Sequence, residues 1–240
     1  MNILHILPFL STGVTLLFAV MVLNRYFRGK RLHSLIWGIG LVLYAAGTFS
    51  EAYLALAKSD LWLRVWYICG AMLTAAWLGQ GTIYLLVRKP GWAHGSAAVL
   101  ALASIIAIAA VLATPVNIEA FKVATAVSSQ YKALMTRSGW LVGLTALLNI
   151  YGSLGLIGGA IWSAYLFWRK SVLPNRVIGN VFIAAGALFP ASAGTLIKLG
   201  LGDWLYVSEL LGAAIMFLGF WLATQPQPSE QPVTASAATA

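Results

Sequence analysis

The charged residues most able to do chemistry in this chain are four that lie within or beside long apolar stretches. They are Glu51, Arg64, Lys198 and Glu209, and each lies near one end of its stretch. Charge is costly in an apolar medium, so such residues are functional candidates. Glu209 lies about five residues inside its stretch, roughly 7 Å deep in a helix. We predict that the four side chains face one another as a ligand site or a salt-bridge lid. The alternative is that they extend to the boundary between apolar medium and water and only orient their helices.

Few other residues offer chemistry. The amide of Asn149, within the fifth apolar stretch, is a further candidate for ligand binding or for a hydrogen bond between helices. His5, His33 and His94 lie at the ends of stretches or in a loop, on different sides, so no pair is placed to bind haem or zinc. No glycine-rich phosphate loop, nucleophile elbow or metalloprotease motif occurs. We therefore expect no enzyme activity, no cofactor and no metal.

Seven apolar stretches position these side chains, and each is long enough to cross a bilayer as an α-helix. Crossing takes about 20 apolar residues, and the helix satisfies its own backbone hydrogen bonds where hydrocarbon cannot. The chain is 60% hydrophobic and only 9% charged. We predict an all-α integral membrane protein, with a seven-helix transmembrane bundle over residues 1–224 and a disordered tail over 225–240. The predicted spans are 5–27, 32–54, 61–87, 97–116, 140–168, 177–199 and 204–223.

The basic residues are divided unequally between the two sets of connecting loops. The loops after the first, third and fifth spans hold nine of the 15 basic residues and no acidic residue. The positive-inside rule places these loops in the cytoplasm, so the amino terminus lies outside and the tail inside, in the inner (plasma) membrane of a cell. This topology accounts for the net charge of +9 without nucleic acid binding. The nine residues are Arg25, Arg28, Lys30, Arg31, Arg88, Lys89, Arg169, Lys170 and Arg176.

Two further features bear on packing and movement. Gly155 and Gly159 are four residues apart, a spacing of small residues that lets a second helix approach closely. We favour a partner helix within the same bundle over a second protomer. Pro190 falls in the middle of the sixth predicted span, where it should kink the helix, free a carbonyl group and serve as a hinge.

The second and third spans carry a set of motifs. An acid, Glu51, ends the second span, and a Leu-Trp-x-Arg-x-x-Tyr run formed by Leu61, Trp62, Arg64 and Tyr67 opens the third. Trp77 and Leu78 then precede Tyr84 and a basic stop at Arg88. In these motifs the segment, about a quarter of the chain, resembles the seven-helix amino-terminal sensing region of some bacterial histidine kinases. The resemblance implies a stand-alone bacterial sensor without the kinase, and we include Tyr67 among the candidate ligand-binding residues.

Three non-catalytic functions remain open. The first is a receptor-like or sensory bundle that binds a small ligand from outside and acts through a membrane or cytoplasmic protein partner. The second is an accessory or structural subunit of a larger membrane complex. The third, less favoured, is a small-molecule or lipid transporter, because ion-coupled transport usually needs ionisable residues near the membrane midplane.

Overall fold

A computed structural model describes residues 6–87, 89–123, 125–170, 173–192, 195–196, 199–200 and 204–225. The described part is all-α, as predicted, and its only extended pairing is one isolated bridge. The predicted tail lies outside the described residues, apart from Gln225. The helices are α1 Leu7–Gly29, α2 Leu32–Leu54, α3 Asp60–Leu86, α4 Pro90–Ala113, α5 Val127–Leu134, α6 Gly139–Arg169, α7 Pro174–Ala191 and α8 Trp204–Ala223.

Six of these helices are long and apolar enough to cross a membrane, so the described chain is of the multi-pass membrane type. They are α1, α2, α3, α4, α6 and α8. The remaining long helix, α7, has 18 residues and carries Asn175, Arg176 and Asn180 in its first two turns. These polar residues lower its mean hydropathy, and it falls outside the set. The structure therefore contains six candidate spans where the sequence predicts seven.

Prolines explain the main differences between predicted and observed helix ends. α4 begins at Pro90, earlier than predicted, because the fixed φ of proline suits the first position of a helix. It ends before Pro115, because the residue preceding a proline avoids helical geometry, and Thr114 is extended (φ −71°, ψ 129°). α7 ends at Ala191. Pro190 thus lies in the last turn of a helix and not in the middle of a longer one, which corrects the predicted mid-span kink.

Six helices form a closed ring, and α4 lies outside it. α1 packs against α2 and α8, α2 against α3, α3 against α6, α6 against α7, and α7 against α8. α4 contacts α3 and α6 from the outside and exposes a row of apolar side chains, including Val99, Leu102, Ile105 and Leu112. Such a surface suits contact with lipid. The interior of the six-helix ring is the place where a site can form.

Close contacts at glycine hold α3 and α6 together. A Cβ atom at Gly152 of α6 would stand 2.1 Å from the carbonyl carbon of Ala75 in α3. Gly155 and Gly159 extend this contact, and a Cβ at Gly159 would stand 2.4 Å from Cγ2 of Thr82. The small-residue pair noted in the sequence therefore faces a helix of its own bundle.

A second glycine contact, which the sequence analysis did not identify, joins α7 and α8. Gly179 and Gly186 lie on α7, and Gly212 and Gly219 lie on α8 with the same spacing. A Cβ at Gly179 would stand 2.5 Å from the carbonyl oxygen of Gly219, and one at Gly212 would stand 2.8 Å from that of Gly186. Because glycine has no side chain, the backbones of these helices approach directly.

The α3–α6 contact predicts a specific sensitivity to one added methyl group. Gly152→Ala should lower the free energy of unfolding by about 1–3 kcal/mol, because overpacking against backbone atoms forces the helices apart. Gly143, on the same helix, has no atom within 4 Å of an added Cβ, so Gly143→Ala is the matched control. Thermal unfolding in detergent, followed by tryptophan fluorescence, compares the two. Equal stability of both variants would contradict the close contact.

Candidate ligand-binding cavity

A cavity of about 370 Å³ lies inside the ring. Its volume falls within the range of roughly 300–1,000 Å³ that is usual for small-molecule sites. The walls come from α2, α3, α6, α7 and α8, with one further wall from α5. Most of the lining is apolar, and it also includes the aromatic and polar side chains of Tyr44, Trp66, Tyr67, Tyr131, Asn149 and Glu209.

The wall from α5 belongs to an ordered connection between α4 and α6. We call residues 114–123 and 125–138 the folded loop. Val116 and Met135 form an antiparallel bridge that closes it, and its side chains Phe121 and Val127 are buried against the helices. From the sequence this segment is predicted only as a connection. In the structure it places Ser128 and Tyr131 on the cavity.

Arg137 holds the folded loop to the bundle, a role that the sequence analysis did not foresee. Its Nη1 donates a hydrogen bond to the hydroxyl of Tyr67 (3.0 Å), and its guanidinium lies 4.7 Å from the ring centroid of Tyr131. The Tyr67 hydroxyl also contacts Oγ1 of Thr145 in α6 (3.0 Å). Burial raises the pKa of Tyr131 and the charge of Arg137 partly offsets the rise. Tyr131 therefore presents a neutral aromatic ring at neutral pH.

Two turns of π-helix border the cavity. α3 is π-helical over Trp66–Leu73 and α6 over Leu154–Gly158. Such turns interrupt the regular hydrogen bonding of a helix and are frequent at functional sites. The amide of Asn149 donates to the carbonyl of Ala71 in the first of them (2.8 Å) and to that of Thr145 (2.9 Å). Asn149 thus joins α6 to α3 while it lines the cavity.

Two of the four predicted charged residues come together in the ring. The carboxyl groups of Glu51 in α2 and Glu209 in α8 lie close enough to interact. Nε1 of Trp66 donates to Oε1 of Glu51 (2.7 Å), and the hydroxyl of Tyr44 donates to the backbone carbonyl of Glu209 (2.9 Å). Oε2 of each acid is buried without a hydrogen-bond partner among the described residues. Because a carboxylate can only accept, a hydrogen bond between the two requires one proton.

Arg64 has other partners, which corrects the prediction that it faces the acids. Its Nε donates to both carboxylate oxygens of Asp60 (2.9 and 3.0 Å), and its Nη1 donates to the carbonyls of Val111, Leu112 and Thr114. These carbonyls end α4, where no helical donor remains and a positive charge is favourable. Lys198 lies outside the described residues. The predicted four-residue cluster is therefore reduced, within the described chain, to the pair of acids.

A second buried polar cluster, away from the cavity, is fully engaged. The side chain of Gln80 is completely buried. Its Nε2 donates to the carbonyl of Ala93 (3.0 Å) and to Oγ of Ser96 (3.1 Å), and its Oε1 accepts from the hydroxyl of Tyr151. The cluster joins α3, α4 and α6. It leaves no free group of Gln80 for a ligand.

Comparison with protein-family models, with curated proteins and with solved structures finds no match to this chain. The resemblance to histidine kinase sensing regions thus stands on its motifs alone. Of the residues in those motifs, Tyr67 lines the cavity and Glu51 lies beside the cavity residue Glu209. Arg64 instead binds the carbonyls at the end of α4. No cluster of three or more metal-binding side chains occurs within the described part of the chain.

The contacts of Arg64 predict a structural effect. Arg64→Gln should lower the free energy of unfolding by about 1–3 kcal/mol, because Asp60 and the terminal carbonyls of α4 lose a charged donor. Lys58→Gln is the control: Lys58 and Glu119 are both exposed, their charged atoms are 4.0 Å apart, and such pairs contribute at most about 1 kcal/mol. Thermal unfolding in detergent measures both. A loss for Arg64→Gln no larger than for Lys58→Gln would show that the end of α4 does not depend on this side chain.

Proposed function

We propose that this chain is a receptor-like sensory bundle of a bacterial inner membrane, which binds a small ligand in the ring cavity and acts through a protein partner. In this proposal α7 is the seventh membrane span. The main support for the proposal is the cavity. Its volume of about 370 Å³ and its lining of aromatic side chains with a few polar groups are typical of small-molecule sites. The motif resemblance to sensing regions of histidine kinases supports the same function.

The charge distribution supports an orientation with the amino terminus outside and the carboxyl terminus in the cytoplasm. Exposed basic residues lie at or after the ends of α1, α3 and α6, including Arg28, Lys30, Lys89 and Lys170. Under the positive-inside rule this end of the bundle faces the cytoplasm. The folded loop and the cavity then face the outer side, where an external ligand arrives.

Packing at the proposed cytoplasmic end favours a receptor over a transporter. There the ring interior narrows to a buried apolar cluster that includes Phe18, Leu41, Leu78, Met216 and Phe220, and the cavity between them is only about 30 Å³. Transport requires the site to open toward both sides in turn. A sensor needs access from one side only, which agrees with a cavity walled by the folded loop and a closed apolar floor.

The orientation is tested by labelling single cysteines with a membrane-impermeant maleimide. In a Cys69→Ala background, Lys132→Cys on α5 should react in intact spheroplasts, because α5 lies outside in this proposal. Lys170→Cys, after α6, should react only after the membrane is permeabilised. Both positions are exposed in the structure, so their burial does not limit labelling. The reverse pattern would overturn the orientation.

Ligand binding is tested by filling the cavity. A thermal-shift screen of the purified chain with amino acids, amines, carboxylic acids and sugars should find a stabilising compound, because ligands that bind only the folded state raise its stability. Ala71→Phe, in the cavity wall, should remove this stabilisation, and Ala146→Phe, on the exposed surface of α6, should retain it. Absence of any stabilising compound, together with stoichiometric co-purification of other subunits, would favour the accessory-subunit function instead.

A further inference from the structure

The paired acids have no positive partner among the described residues. Glu51 accepts from the neutral indole of Trp66, and the two carboxyl groups contact each other. Neither acid forms an ion pair with a described basic residue: Arg64 binds Asp60 and the end of α4, and Arg137 binds Tyr67 and lies over Tyr131. Burial in a medium of low polarity disfavours a negative charge on the pair unless a cation lies beside it. An uncompensated charge there is costly, so a cation at this place would be stabilised strongly.

Aromatic rings stand beside the acids, and they also attract cations. The ring centroids of Trp66 and Tyr131 are 5.2 Å apart, and those of Tyr67 and Tyr131 are 5.8 Å apart. Tyr44 lines the same cavity. The faces of such rings carry partial negative charge. Arg137 already lies over Tyr131 and Tyr67, which shows that these rings accept a cation in this structure.

A further polar group in the cavity wall has no hydrogen-bond partner among the described residues. Ser128 is 1% exposed and lines the cavity, yet its hydroxyl makes no hydrogen bond to any described residue. The buried hydroxyl groups of Ser11, Thr15 and Ser34 also lack a partner within the described chain, but Ser128 is the one of these four that lines the cavity, so its hydroxyl is free to bond an occupant. Glu209 supplies an acceptor in the same wall. The described lining contains no lysine or arginine.

We infer that the cavity binds a small organic cation, with its ammonium group between the carboxyl of Glu209 and the aromatic rings of Trp66, Tyr67 and Tyr131. The inference rests on the proposed function, in which the cavity is the ligand site. An anionic ligand would place a negative charge beside two acids. A neutral ligand would supply no charge to stabilise a carboxylate there.

Three probes of nearly one shape and different charge test the inference. They are choline, the neutral isostere 3,3-dimethylbutan-1-ol and the anion 3,3-dimethylbutanoate. The charge of choline is independent of pH, so titration of the probe does not enter. Calorimetric titration of the intact chain in nanodiscs should show choline binding about tenfold or more tightly than either of the others, because removing one partner of a buried charge pair has an effect of at least this size.

Matched variants locate the effect. Glu209→Gln keeps the shape of the side chain and removes its charge, so choline should bind about tenfold or more weakly while the neutral alcohol is unaffected. Glu51→Gln should also weaken choline binding, since it removes the second acid of the pair. Glu119→Gln, an acid in the exposed part of the folded loop, should leave all three affinities unchanged. Thermal unfolding of each variant in nanodiscs separates loss of binding from loss of fold.

The outcomes distinguish this inference from the proposed function. If the alcohol or the anion binds as tightly as choline, the cavity remains a ligand site and the cation class is overturned. If choline binds equally well to Glu209→Gln in its folded form, the assigned position is overturned. If none of the three binds at millimolar concentration, the inference is overturned, and the wider screen with Ala71→Phe decides the function separately.

Discussion

Within hydrocarbon, a polar group has to find its partner inside the protein, because the solvent offers none. In this bundle the constraint accounts for several of the polar contacts between helices. Arg64 donates to the carbonyls that end α4, and Asn149 donates to a carbonyl in the π-helical turn of α3. Gln80 is fully hydrogen-bonded between three helices. Among the buried side chains that keep an atom without a hydrogen-bond partner in the described chain, Glu51, Glu209 and Ser128 lie at one cavity wall or beside it, and the others, Ser11, Thr15, Ser34 and Arg137, do not line the cavity.

The cavity follows from how the ring is closed. Glycines allow the backbones of α3 and α6, and of α7 and α8, to touch, which fixes the helices as two tight pairs. The cavity is bounded partly by π-turns in α3 and α6, where an added residue widens the helix and alters which side chains face inward. Trp66 and Tyr67 lie in one such turn. Tight contact at the glycines and irregular turns beside them together leave space at the level of the acids without loosening the ring.

Sequence patterns predicted the features that depend on local composition. The lengths of the apolar stretches predicted spans, and the structure confirms six of them as helices long and apolar enough to cross a membrane. The depth of Glu51 and Glu209 along their helices predicted that they lie at one level, and their carboxyl groups are close together. Features that depend on long-range packing were not predictable in this way. The position of α4 outside the ring and the folding of the loop against α3 are such features. The same reason explains Arg64, which was predicted to face the acids because of its depth. Depth specifies a level in the membrane but not a direction around the helix, and the side chain of Arg64 binds the end of α4.

The position of the acids also suggests how a ligand signal would travel. Glu209 of α8 and Ser128 of the folded loop line the cavity, and Glu51 of α2 lies beside Glu209, so a cation in the cavity would act on three elements that are far apart in the chain order. A ligand shifts a conformational equilibrium only through different contacts in the two states. A cation beside the pair is such a difference, because it changes the interaction between the two carboxyl groups and therefore the contact between α2 and α8. Both helices also pack against α1, whose far end lies at the proposed cytoplasmic face, so movement of α2 relative to α8 provides a direct mechanical link to a partner there.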